Sequence, residues 1–136
     1  MPGLILKLGP AERFVVNGVV IENGDRRPRL NILTPDSNIL RLRDALHPKE
    51  ANTPVRRVCY IVQLLLAGEA DSGIAKHQLR TGIQQLGQVF TDGASNLKLI
   101  RAMEDVEHDR FYPALRALRS LLPAEDRLIA ISKGAT

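Results

Sequence analysis

The chain has 136 residues, a formal net charge of +4, 44% hydrophobic and 25% charged residues, and 4% aromatics with no Trp. That suits one domain, or two small subdomains sharing an aliphatic core, and is too apolar for intrinsic disorder except at the ends. The opening MPGLILKLGP lacks the basic start and cleavage region of a secretory signal, and no stretch approaches the roughly 20 apolar residues that cross a bilayer, so a cytoplasmic protein with no membrane contact is expected.

Residues 4–43 read as five short strands. LILKL (4–8) puts Leu4, Leu6 and Leu8 on one face and Ile5 and Lys7 on the other, the period-2 pattern of a half-buried strand. ERFVV (12–16) and VVIEN (19–23) flank Asn17-Gly18, a pair that supplies the positive φ angles of a two-residue type I′ hairpin. Asn23-Gly24-Asp25 forms a second, longer turn. RPRLNIL (27–33) and NILRLR (38–43) then flank a turn at Thr34-Pro35-Asp36-Ser37. In these two strands Leu30, Ile32, Leu40 and Leu42 point inward, while Arg27, Arg29, Asn31, Arg41 and Arg43 point outward. A five-residue loop between them would set Arg29 opposite Arg41 and Arg27 opposite Arg43.

After the strands the periodicity changes. Thr53 suits an N-cap and Pro54 a first helical residue, and Val55, Val58, Cys59, Val62, Leu65 and Leu66 follow at helical spacing up to Gly68. The lone Cys59 sits in this apolar run and reads as a small buried side chain rather than a reactive thiol. A second helix opens near Asp71 or Ser72 and aligns Leu79, Ile83, Leu86 and Phe90; Gly82 and Gly87 each weaken it by roughly 1 kcal/mol relative to Ala. A third opens near Ser95 with Leu99, Met103 and Val106, and a fourth carries Phe111, Leu115, Leu118 and Leu122 up to Pro123. The apolar LIAI then precedes a frayed tail. The expected fold is α+β: a small antiparallel β part of about five strands over 1–46, then a bundle of about four helices over 47–136 packed on it, with the boundary within 44–53.

Charge is unevenly distributed. Residues 1–60 hold ten basic and six acidic side chains, whereas 61–136 hold nine of each, so the whole excess lies in the N-terminal part and suits a polyanionic partner. Like charges directly opposite on a sheet cost up to about 1 kcal/mol, so a ribbon that sets arginine against arginine calls for a reason. Arginine donates paired hydrogen bonds to phosphate and stacks on bases, which makes the ribbon a candidate RNA-binding face of Lys7, Arg26, Arg27, Arg29, Arg41 and Arg43, to which Arg13 could add. The alternative is a solvated face whose charges keep a sheet edge from aggregating. Arg56, Tyr60 and Gln63 share a face of the first helix, either to meet RNA bases or simply to face solvent. The run EDVEHD (104–109) reads as a solvated acidic face or a contact for a basic partner. Its Glu104 and His108 are too few for a metal site, and His47 and His77 have no matching spacing. No nucleophile elbow, P-loop or dinucleotide fingerprint is present, so no catalytic residue, metal or cofactor is expected.

Three blocks carry a family likeness. LILKLGPAERFVVNGVVIENGDRR (4–27), EANTPVRRVCYIVQLL (50–65) and ALRALRSLLP (114–123) resemble FlbT, the flagellum biosynthesis repressor family of alphaproteobacteria, across nearly the whole chain. The resemblance implies a non-enzymatic post-transcriptional regulator that associates with the 5′ untranslated region of flagellin mRNA and promotes its decay or blocks its translation. It also implies a functional link to a second small regulator, FlaF. A shorter likeness, from the LIL of the first strand to Arg43-Asp44, is similar to the carbon storage regulator family and points to Leu6, Lys7, Arg41 and Arg43 as an RNA face, and to a homodimer. Leu8 and Pro28 depart from that pattern. The rival expectation is a protein-interaction module whose helical half binds FlaF, flagellin or an export component.

Overall fold

A computed structural model describes residues 4–34 and 37–134. Five strands precede five helices: β1 (Leu4–Lys7), β2 (Arg13–Val16), β3 (Val19–Glu22), β4 (Arg29–Ile32), β5 (Ile39–Arg41), α1 (Pro54–Leu66), α2 (Ser72–Val89), α3 (Gly93–Glu107), α4 (Phe111–Arg119) and α5 (Leu122–Gly134). The architecture is α+β, as the pattern predicts, with one helix more. Pro35 and Asp36 of the expected turn lie outside the described residues.

The strands form two antiparallel sheets, β1-β4 and β3-β2-β5. Asn17 (φ 48°) and Gly18 (φ 84°) build the two-residue hairpin between β2 and β3. The expected pairing of the fourth strand with the fifth does not occur. β4 pairs with β1, setting Lys7 opposite Arg29 and Leu6 opposite Leu30, while β5 pairs with β2, setting Arg41 opposite Phe14. The cause lies in the second turn. The Asn23 side-chain amide donates to Gly9 O (2.6 Å) and Arg26 O (2.8 Å), Ala11 N donates to Gly24 O (2.8 Å), and Leu8 N to Pro28 O (3.0 Å). These bonds lay the incoming chain along β1, so β4 starts in register with it. Strand β5 is also shorter than expected: Leu42–Asp44 is a 3-10 turn, and Leu42 is exposed rather than inward.

Opposed residues share a face, so Phe14, Val16 and Ile39 of the central sheet look toward β1-β4, and Val15 and Leu40 look the other way. Accordingly Leu6, Leu8, Phe14 and Ile39 form one core, with Leu4, Leu30 and Ile32 against it. Val15 and Leu40 join the larger core of the helices. The result is three layers: a two-stranded sheet, a three-stranded sheet and the helical bundle.

Two helix starts are capped by side chains remote in sequence. Asn38 Oδ1 accepts from Phe111 N at the start of α4 (3.1 Å). Glu125, buried on α5, accepts from Val55 N in the first turn of α1 (2.7 Å) and from the Thr53 hydroxyl. A carboxylate there meets both an orphan N–H and the positive end of the helix dipole. Gly82 has a packing role: a Cβ at that position would lie 2.8 Å from Val58 Cγ2, so α1 and α2 approach closely there. Pro123 sits in the first turn of α5 and starts a helix instead of ending one, and LIAI and the residues after it to Gly134 are helical rather than frayed.

Candidate nucleic-acid interface

At the open end of the β1-β4 sheet, Lys7, Arg27, Arg29 and Arg43 line one cavity of about 430 Å³ with Leu8 and Gly9. Lys7 and Arg29 come together because they are direct cross-strand neighbours on the outward face, opposite the face that buries Leu6. Arg27 enters just before β4, and Arg43 comes from the turn after β5. No carboxylate lies within 4 Å of the side-chain nitrogens of Lys7, Arg27 or Arg29 among the described residues. Arg43 is half-exposed and lies 3.6 Å from Glu12 and 3.8 Å from Asp44. Arg26 is exposed beside the group without lining the cavity, and Arg13 is engaged with Glu22 at 2.8 Å.

Arg41 is placed differently from the expectation. Its Nε donates to Glu12 Oε2 (2.6 Å), and its Nη2 donates to Glu12 Oε1 (2.6 Å) and to Lys7 O (2.7 Å). The side chain is mostly buried, so it ties β5 to the end of β1 instead of facing a ligand. Glu12 also accepts from Gly9 N (3.0 Å), and the Arg41 guanidinium holds its carboxyl down at about 2, against an ordinary 4.5. The pair fixes the loop that carries Leu8 and Gly9 into the cavity wall. Nothing in the sequence pattern marks Glu12, because an acid in a turn has no periodicity and its partner is 29 residues away.

The face of Arg56, Tyr60 and Gln63 is only partly solvated, with Arg56 and Tyr60 half-buried and Gln63 buried. Arg56 donates to Asp126 (3.0 Å) and Glu125 (3.3 Å), while Gln63 is buried, accepting from Leu46 N (2.7 Å) and donating to Leu46 O (3.2 Å). The acidic run meets basic groups of its own chain: Asp109 with Lys76 (2.9 Å), Glu107 with Arg80, and Asp105 with Arg110 (2.9 Å). Cys59 is fully buried, and that burial pushes its thiol up to about 12. Among the described residues no three His, Cys, Asp or Glu side chains come together as a metal ion needs, and no helix is long and apolar enough to cross a membrane.

Residues 4–129 match the family described as flagellar protein FlbT. The chain is 34% identical over 130 residues to a probable flagellum biosynthesis repressor protein FlbT of Caulobacter sp. strain K31, covering 91% of this chain and 94% of that one. It is 31% identical over 134 residues to the flagellum biosynthesis repressor protein FlbT of Caulobacter vibrioides, covering 98% and 94%. It is 34% identical over 128 residues to a probable repressor of the same name from Mesorhizobium japonicum, covering 93% and 84%. No solved structure matches.

Proposed function

Since this chain belongs to the FlbT family, we propose that it is a non-enzymatic regulator of flagellum synthesis that acts by binding the 5′ untranslated region of flagellin mRNA in the cytoplasm. The observation that carries this reading is the gathering of Lys7, Arg27, Arg29 and Arg43 around one cavity, three of them without a carboxylate partner among the described residues. Cations held together without counter-charges cost energy unless an anion completes them. An RNA backbone supplies phosphates at the spacing of neighbouring side chains, and the guanidinium fork matches them. Arg26 extends the basic surface beside the cavity, and Arg41 serves by holding the wall through Glu12. Repression then needs only occupancy: a bound leader excludes ribosomes or is presented to nucleases.

Titrating the purified protein against its own flagellin leader RNA at two salt concentrations tests this reading. Four phosphate contacts on a single strand give log affinity against log salt a slope of about −3. Selective binding with that slope supports the proposal; affinity equal for any RNA, or indifferent to salt, contradicts it. A second reading moves recognition to the helical half as a docking face for a flagellar protein such as FlaF or flagellin. It is favoured by a mostly apolar groove lined by Pro54, Leu86, Phe90 and Ile129 together with the exposed Val89 and Leu128.

A further inference from the structure

Strand β3 is the most apolar exposed element of the β part. Val19 is 60%, Val20 64% and Ile21 39% exposed, and among the described residues only its β2 side is paired. The exposure falls on both faces: Val19 and Ile21 lie on the side of Phe14, and Val20 on the side of Val15. Neither the β1-β4 sheet nor the helices reach out to cover them. The backbone is open as well. In a hairpin closed by a two-residue turn the flanking pair Val16 and Val19 is hydrogen-bonded, so alternation turns Val19 and Ile21 toward β2 and leaves Val20 and Glu22 facing outward. Asn23 N donating to Glu12 O (2.8 Å) continues the same alternation. Natural edge strands are blunted by lysine, proline, a bulge or a cover. β3 has no lysine or proline, and its one charge, Glu22, is held by Arg13.

We propose that β3 pairs antiparallel with β3 of a second copy of this chain, joining the two central sheets into one six-stranded sheet. The occupant must be a strand with a free edge and apolar side chains on both faces. β1 and β4 carry Lys7, Arg29 and Asn31 on one face, and β5 is buried, so among the described strands β3 itself meets that requirement. Charge favours the register centred on Val20 over the one centred on Glu22. With Val20 opposite Val20 of the partner subunit, Val19 faces Ile21 of the partner subunit and Glu22 faces Gly18 of the partner subunit. Glu22 opposite Glu22 of the partner subunit would instead set like charges together. A four-residue strand buries less than a standard interface, so the dimer is weak and reversible. The inference stands apart from the RNA reading, because β3 contributes no residue to the basic cavity.

Sedimentation of the full chain from micromolar to several hundred micromolar, for the wild type, Val20→Lys, Val20→Glu and an equimolar mixture of the two variants, tests the pairing. The wild type is expected to dimerise reversibly. Each variant alone should weaken association at least about 10-fold, and the mixture should restore it, because the two residues face each other across the axis. A wild type that stays monomeric throughout, or variants that associate as well as it does, would overturn the proposal. Val20 is exposed and its backbone does not bond β2, so the variants should fold; circular dichroism checks this. If they do not, amide exchange of the wild type decides. The Val20 and Glu22 amides should slow about 10-fold on concentration if the strand pairs, and exchange at a concentration-independent rate if it does not.

Discussion

The two halves of the molecule arrange their charge differently. In the helical half, Arg56 is answered by Glu125 and Asp126, Lys76 by Asp109, Arg80 by Glu107 and Arg110 by Asp105, so its ion pairs staple helix to helix. In the β half, Glu12 satisfies Arg41 and Glu22 satisfies Arg13, but Lys7, Arg27 and Arg29 are gathered with no carboxylate partner among the described residues. Charges compensated within the chain belong to its architecture. Helical cations such as Arg57, Arg101 and Arg127 also lack a carboxylate among the described residues. What sets the β half apart is therefore the gathering of its cations at one cavity, in the part that carries the net excess of the sequence. On the proposed reading that gathering is the surface for an external anion.

That contrast can be broken from either side. The largest expected effect comes from Glu12→Gln, which leaves the mostly buried Arg41 without its counter-charge and should cost about 3 kcal/mol in urea unfolding. The pH dependence follows. Because the Glu12 carboxyl is depressed in the folded state, its contribution is complete above its ordinary 4.5 and is lost as pH falls toward about 2. Wild-type stability should therefore drop through that window, and the variant should show a flatter curve. Next comes Glu125→Ala, which uncaps α1 and should cost about 2 kcal/mol by the same measurement. Gly82→Ala gains helix propensity but meets Val58, for a net loss of about 1 kcal/mol in thermal unfolding. The smallest effect belongs to Arg27→Glu/Arg29→Glu: both side chains are exposed and neither is in an ion pair among the described residues, so stability should change by no more than about 0.5 kcal/mol.

Strands, hairpin and helix starts were legible because each is written locally: alternation in LILKL, Asn17-Gly18, and Thr53 before Pro54. Which strand pairs with which was not. Alternation states which face of RPRLNIL is buried but not against what, and the choice was made by Asn23 reaching Gly9 and Arg26. The same holds for the site. Lys7, Arg27, Arg29 and Arg43 were visible as an outward basic set, yet the assignment of Arg41 depended on a buried carboxylate in a loop. Pro123 was ambiguous in kind, since a proline both stops one helix and opens the next, and only packing of Leu121 and Glu125 separates the two.

On the proposed reading the cations gathered at the basic cavity bind RNA and those paired with carboxylates on the helices do not. The direct measurement compares leader-RNA affinity of the wild type with two folded charge-reversal pairs, Arg27→Glu/Arg29→Glu in the β half and Lys76→Glu/Arg80→Glu on the helices. Loss of at least about 100-fold in the first, with no more than a few-fold change in the second, is the predicted result. Equal losses would reduce binding to net charge alone, and an unaffected first variant would remove RNA from the basic cavity.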